Sequence, residues 1–198
     1  MSFKVNKGLV LLSLVMLLSA CGGGSSSGRG SGAAFDGVWK NSPACESEVN
    51  IDPVTNEVDK SSMEASATIM GSTLTLNVTE YSATDDCTGN HDDFVTESTL
   101  TYGKDVPNAA PAASICSNTK EVDVAIKSAK VNGVALTDKQ LAAAIASDDI
   151  PGLDHYGLIC SSPDGFKLYF GDDEGGTKLG KTKQTRPTLI DASNFLVK

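Results

Sequence analysis

The 198-residue chain carries 25 acidic and 16 basic residues, a formal net charge of −9, with 40% hydrophobic and 6% aromatic residues. That balance excludes nucleic acid as a partner recognised through the net field, because like charge repels a polyanion. The apolar fraction is high enough for a packed core and too high for a disordered chain.

In chain order, Lys4 and Lys7 form a positive n-region and Leu9 to Leu18 an apolar h-region, nine of its ten residues strongly apolar. A helix needs about 20 apolar residues to cross a bilayer core, so this run is too short for a span. With the small residues Ser19 and Ala20 after it, the pattern is that of a secretory signal over residues 1–20. Cys21 follows directly. The tetrapeptide Leu18-Ser19-Ala20-Cys21 resembles the lipobox of bacterial lipoproteins, and each of its four residues matches. The resemblance implies cleavage before Cys21 and fatty acylation (palmitate-type chains) on its sulfur. Two or three chains anchor stably because each buried CH₂ contributes about 0.8 kcal/mol. Gly22, where aspartate would signal retention, implies the outer membrane in Gram-negative members. The partner expected from this segment is therefore a membrane, reached through acylated Cys21.

Residues 21–34 are the lipidated cysteine and a Gly/Ser tether. Gly22 to Gly32 hold eleven residues, only one of them neither Gly nor Ser (Arg29). Such tracts bury nothing and span on the order of 18 Å r.m.s.. A phosphate-cradling role would need a strand before the glycines and a helix after them, and neither is predicted. Residues 35–198 then form a single domain by length. Removing the signal takes Lys4 and Lys7 and no acid, so the charge moves from −9 to −11.

Of five cysteines, one is the acylation site, and Cys45, Cys87, Cys116 and Cys160 remain. An even number in an exported chain reads as two disulfides. Three connectivities are possible. Cys45–Cys87 and Cys116–Cys160 are favoured, since each closes a local excursion of about 40 residues, contributing roughly 4 kcal/mol. A zinc site lacks Cys-x-x-Cys spacing and has only His91 and His155 to draw on.

The domain opens on Phe35 to Lys40, with the only tryptophan at position 39. A short strand is predicted over 47–51, ending at Asp52-Pro53. Residues 63–69 and 74–79 alternate apolar and polar around Gly71-Ser72, which predicts a hairpin on a type II′ turn. A polar loop, 85–93, surrounds Cys87. Strands follow over 94–102 and from 121 to 131, the second ending at Asn132-Gly133, the strongest short hairpin signal. Thr137 and Gln140 then make a capping box, Leu136 and Leu141 a hydrophobic staple, and the alanines a helix over about 138–147. Its Leu141/Ile145 face is expected to dock on the sheet. Strands over 155–161 and 166–171 flank the turn Ser162-Pro163-Asp164-Gly165, and 187–198 forms the last.

The fold class is thus mainly β, an antiparallel meander of eight or nine strands with one inserted helix. Closing it into a small barrel removes its edges; a β-sandwich is the alternative. Gly37-Val38-Trp39 resembles the Gly-x-Trp of the first strand in lipocalins and related calycin-like barrels. That implies a tryptophan plugging the closed barrel end. The helix of this chain lies before the last strands rather than near the end of the chain, where lipocalins have theirs.

Candidate chemistry is sparse. Asp85, Asp86, Asp92, Asp93 with His91, and Asp172-Asp173-Glu174, could offer oxygens to calcium but lack the EF-hand order, so solvated turns are expected. His91 or His155 would have to serve a hydrolytic triad, and no Gly-x-Ser-x-Gly elbow accompanies them. Lys178, Lys181, Lys183 and Arg186 form a locally basic face. No catalytic residue, metal ligand or cofactor is assigned, and the chain is expected not to be an enzyme. Two functions remain open: a lipid-anchored barrel holding a small apolar ligand, or a filled barrel that meets another envelope protein.

Overall fold

The computed structural model describes residues 34–51, 58–107, 109, 115–116, 118–147, 156–171 and 182–198. The predicted signal, Cys21 and all but the last residue of the tether lie outside these, as do His155, Asp172 to Glu174, Lys178 and Lys181. Ten strands run in chain order: β1 (Gly37–Lys40), β2 (Glu46–Ile51), β3 (Val58–Met70), β4 (Thr73–Ser82), β5 (His91–Asp105), β6 (Lys120–Val131), β7 (Val134–Ala135), β8 (Tyr156–Ser161), β9 (Lys167–Gly171) and β10 (Ile190–Val197). The one α-helix, α1 (Asp138–Ser147), sits between β7 and β8.

All strand pairs are antiparallel, and the sheet order is β1-β10-β9-β8-β6-β5-β4-β3, closed by β1 pairing back onto β3. Eight strands therefore make a barrel of calycin-like form, and the sandwich alternative falls. Two strands lie outside the ring. Strand β2 continues the line of β1 along β3, pairing Glu46 with Met63 through Ile51 with Val58. Strand β7 likewise continues the line of β8 along β6. The long strands β3 to β6 thus outrun the barrel and form, with β2 and β7 at the edges, a sheet overhang.

Directly opposed residues in antiparallel strands share a face, so the register orders the inner surface into rows. One row is Gly37, Ile69, Leu74, Ser98 and Ile126, and the next is Trp39, Ala67, Leu76, Thr96 and Ala129. Small Ala67, directly opposite Trp39, leaves room for the indole. Trp39, Phe35, Ile69, Leu74, Ile159 and Leu168 are among the fully buried side chains of this core. The indole N–H donates to Phe35 O at 2.9 Å, and Phe35 stacks on Tyr102. Trp39 is thus a fully buried residue of the barrel core.

The local signals explain these elements. Gly71 takes φ +61 while Ser72 stays outside the left-handed region, the type II′ pattern, and Asn132 (φ 50) with Gly133 (φ 77) gives type I′. Thr137 N donates to Gln140 Oε1 at 2.9 Å and Gln140 N to Thr137 Oγ1 at 3.4 Å, so the capping box forms.

Two expectations are corrected. Residues 91–93, expected in a loop, open β5, because strands in the overhang tolerate polar residues on both wetted faces. Helix α1 buries none of its residues; it rests against β6 without entering the core.

A second, smaller core lies on the outer face of β8 to β10. Leu158, Cys160, Tyr169 and Ile190 pack there against Ala109 and Cys116 of the β5–β6 connection. Both disulfides have the pairing favoured above, Cys45–Cys87 and Cys116–Cys160, with Cα separations of 5.9 and 5.7 Å.

Candidate functional site

Past the tryptophan row, the inner face of the overhang changes character. The next row is Ala65, Val78, Phe94, Val131 and Val134, still apolar, with Val78 and Phe94 buried. Beyond it lie Glu46, Met63, Glu80 and Asp92, and then Glu48, Ser61 and Ser82. Four carboxyl groups from three strands therefore share one surface. Burial, then the charge of Glu48, raises the pKa of Glu46 from its ordinary value; burial, then Asp92, does the same to Glu80. Asn41 Nδ2 donates to Glu46 Oε2 at 3.3 Å and Asn132 Nδ2 to Asp92 Oδ1 at 2.7 Å. The face can present negative charge and hydrogen-bond acceptors to a cationic partner.

The opposite face of the overhang holds the candidate histidine. The His91 ring meets that of Tyr81 at a tilt, centroids 5.3 Å apart, its Nδ1 lies 3.1 Å from Gly89 O, and its Nε2 lies 3.8 Å from Asp93 Oδ2. Tyr81 donates to Glu64 Oε2 at 3.1 Å. The serine in register is Ser62, opposite Tyr81, which in turn faces His91. Two strand spacings, about 10 Å, separate Ser62 from His91. The Ser62 hydroxyl is buried and accepts from Cys87 N at 3.0 Å. A proton relay from nucleophile to His91 is not assembled here.

The acids expected in solvated turns are separated. Asp85 pairs with Lys60 at 2.8 Å, and Asp86 accepts from the Thr84 and Thr88 hydroxyls; these bonds lower both pKa values. Asp92 and Asp93, neighbours in a strand, point to opposite faces. Among the described residues, no group of three or more His, Cys, Asp or Glu could hold a metal ion. No helix among them is long and apolar enough to cross a membrane.

The basic face is partly internal. Arg186, its side chain only 11% exposed, donates to Val122 O and Gly157 O at 2.9 and 2.8 Å and pairs with the Asp123 carboxylate. It follows a single 3₁₀ turn, Lys183–Thr185, and clamps that turn onto β6 and β8. Lys183 lies 3.6 Å from Asp123. Nothing in the local sequence marks Arg186 as internal, since its partners lie 29 to 64 residues away. The shared acidic face carried a weak signal, the i,i+2 spacing of Glu46 and Glu48.

Compared with protein-family models, curated proteins and solved structures, the chain has no match.

Proposed function

We propose that this chain is a lipoprotein of the bacterial cell envelope, anchored in the outer membrane through acylated Cys21. In this reading the barrel is a filled scaffold and its overhang meets another envelope protein. The observation that carries the scaffold reading is the plug: Trp39 and Phe35 have no exposure, and Ile69, Leu74, Ile159 and Leu168 pack around them. Eight strands make an interior that side chains can just fill. Two disulfides support an oxidising compartment. The anchor itself rests on the lipobox residues Leu18 to Cys21. No catalytic role is assigned.

A second reading has its own observation. Val78 and Phe94 continue the apolar inner surface past the plug toward the overhang. A small apolar ligand would sit there, with the acidic rows at its entrance.

Native mass spectrometry of the membrane-extracted protein separates the two. The scaffold reading expects the acylated mass alone, and a photo-crosslinker at Val134 forming one discrete adduct that Glu48→Lys abolishes. A retained apolar small molecule, lost on Phe94→Asp, would favour the ligand reading instead.

A further inference from the structure

We infer that the closed end of the barrel seats on the lipid surface, through the exposed side chains at its rim. The inference rests on the acylated-Cys21 reading and extends it from an anchor to an orientation.

Three observations converge on that end. First, the chain enters there. Phe35 is fully buried in the closed-end core, so the 13 residues Gly22 to Ala34 that link it to Cys21 join the domain at this end. Their r.m.s. span is on the order of 20 Å for a Gly/Ser chain. A short tether of this kind holds its domain at about millimolar effective concentration near the surface. A contact too weak to recruit a free domain then suffices.

Second, the rim is apolar where the tether enters. Met70 is 72% exposed, Phe166 63% and Val38 53%. They lie on neighbouring lines of the barrel wall. Met70 follows Ile69, which pairs with Gly37; Lys40 pairs with Val197; and Lys198 N bonds Phe166 O at 3.1 Å. Large apolar side chains on hairpin tips, beside lysines, are suited to an interface of acyl chains and headgroups. Lys40 and Lys198 supply the cations, with Lys198 Nζ 4.6 Å from the Trp39 ring. Two acids border the same rim: Asp36 accepts from Gly71 N at 2.8 Å, and Asp164, its pKa lowered by these bonds, accepts from Ser162 and from Phe166 N at 3.0 Å.

Third, the acids gather at the far end. Glu46, Glu48, Glu80 and Asp92 share the inner face of the overhang, on the side of the barrel opposite the β3–β4 turn. An anionic bilayer repels that end and leaves the closed end as the one that can approach. The uneven placement of the charge, −11 once the signal is removed, therefore orients the domain without preventing contact.

The test uses the full acylated chain in vesicles of phosphatidylethanolamine and phosphatidylglycerol, three to one. A nitroxide is placed at the turn tip by Ser72→Cys or, as the far-end reference, at the overhang by Val134→Cys. Collision rates with bilayer-dissolved oxygen and with a water-soluble nickel chelate report depth. At position 72 the oxygen-to-nickel ratio is expected to rise at least threefold on vesicle incorporation, with no change at 134. Met70→Ser with Phe166→Ser should return the ratio at 72 to its value in solution. An unchanged ratio at 72 in protein whose mass carries the acyl chains overturns the inference and leaves the anchor standing. Loss of both oxygen and nickel access at 72, seen only in native envelope vesicles, shows a protein covering the rim and also overturns it. Protein that lacks acyl chains and stays out of the vesicle fraction removes the anchor reading, and the inference with it.

Discussion

The two ends of this molecule are built from the same four long strands and obey different chemistry. At the closed end, both edges of every strand are paired around the ring and the inner face buries Trp39, Phe35 and their neighbours. At the overhang, β2 and β7 leave two edges open, and the inner face turns acidic within two rows. The strand pattern alone does not separate them, since alternation continues through β3 and β4 into both regions. What differs is the identity of the inward residue. Where it is Ile, Leu or Trp the sheet has a core to close on; where it is Glu or Asp the sheet stays open to water.

That contrast makes predictions that can be ranked. Trp39→Ala should cost about 3–5 kcal/mol in urea unfolding, as expected for a fully buried aromatic, whereas Val49→Ala in the overhang should stay within about 0.5 kcal/mol. A comparable loss for the two would erase the distinction between the ends.

The two disulfides should resemble each other in stability and differ in reactivity. Their sequence separations of 42 and 44 give nearly equal loop-closure effects, about 4 kcal/mol each. Cys160 has no exposure and Cys116 is buried, while Cys45 and Cys87 are only half-buried. Mild thiol reductant under native conditions should open Cys45–Cys87 at least about tenfold faster. Alkylation followed by peptide mass mapping reads this, and equal rates would contradict it.

Arg186→Met should cost about 2 kcal/mol, because it leaves Val122 O and Gly157 O without their donor and Asp123 without its bidentate-capable partner. Lys in its place should recover only part of this, a single ammonium being unable to reach all three acceptors. Thermal melts of the two variants check the order.

The smallest effect belongs to Glu80. Its pKa is raised by burial from the ordinary 4.5, so ionisation costs more in the folded state than in the unfolded chain. That cost is present at neutral pH, fades as pH falls through the raised value, and is gone below 4.5. Glu80→Gln should therefore stabilise the protein by a few tenths of a kcal/mol at pH 7 and by nothing at pH 4. Paired melts at the two pH values should show that sign. The lowered groups Asp85, Asp86 and Asp164 behave oppositely: their contribution is present above 3.8 and lost as pH falls below it.

Much of the local structure at both ends was legible in the sequence. Period-2 alternation around Gly71-Ser72 at the closed end, and Asn132-Gly133 between valines and the Thr137/Gln140 box at the overhang, each encode their element within a few residues. The cysteine pairing followed from loop arithmetic. Less local features were not readable. Strand β5 starts at His91 because the overhang wets both faces, a consequence of strand length rather than of any turn residue. The shared face of Glu46, Glu80 and Asp92 exists only once three strands are set in register. Arg186 reads as one more surface cation until β6 and β8 bring Asp123 and two carbonyls around it.

The proposed lipid attachment at Cys21 underlies the proposed orientation, partner and compartment alike. Intact mass and N-terminal peptide mapping of the protein extracted from membranes of a Gram-negative host test it most directly. The account predicts a chain beginning at Cys21, carrying a diacylglyceryl mass on that residue, with Cys21→Ser abolishing both the cleavage and the added mass. A chain recovered in the soluble fraction with residues 1–20 attached and no acyl mass would contradict it.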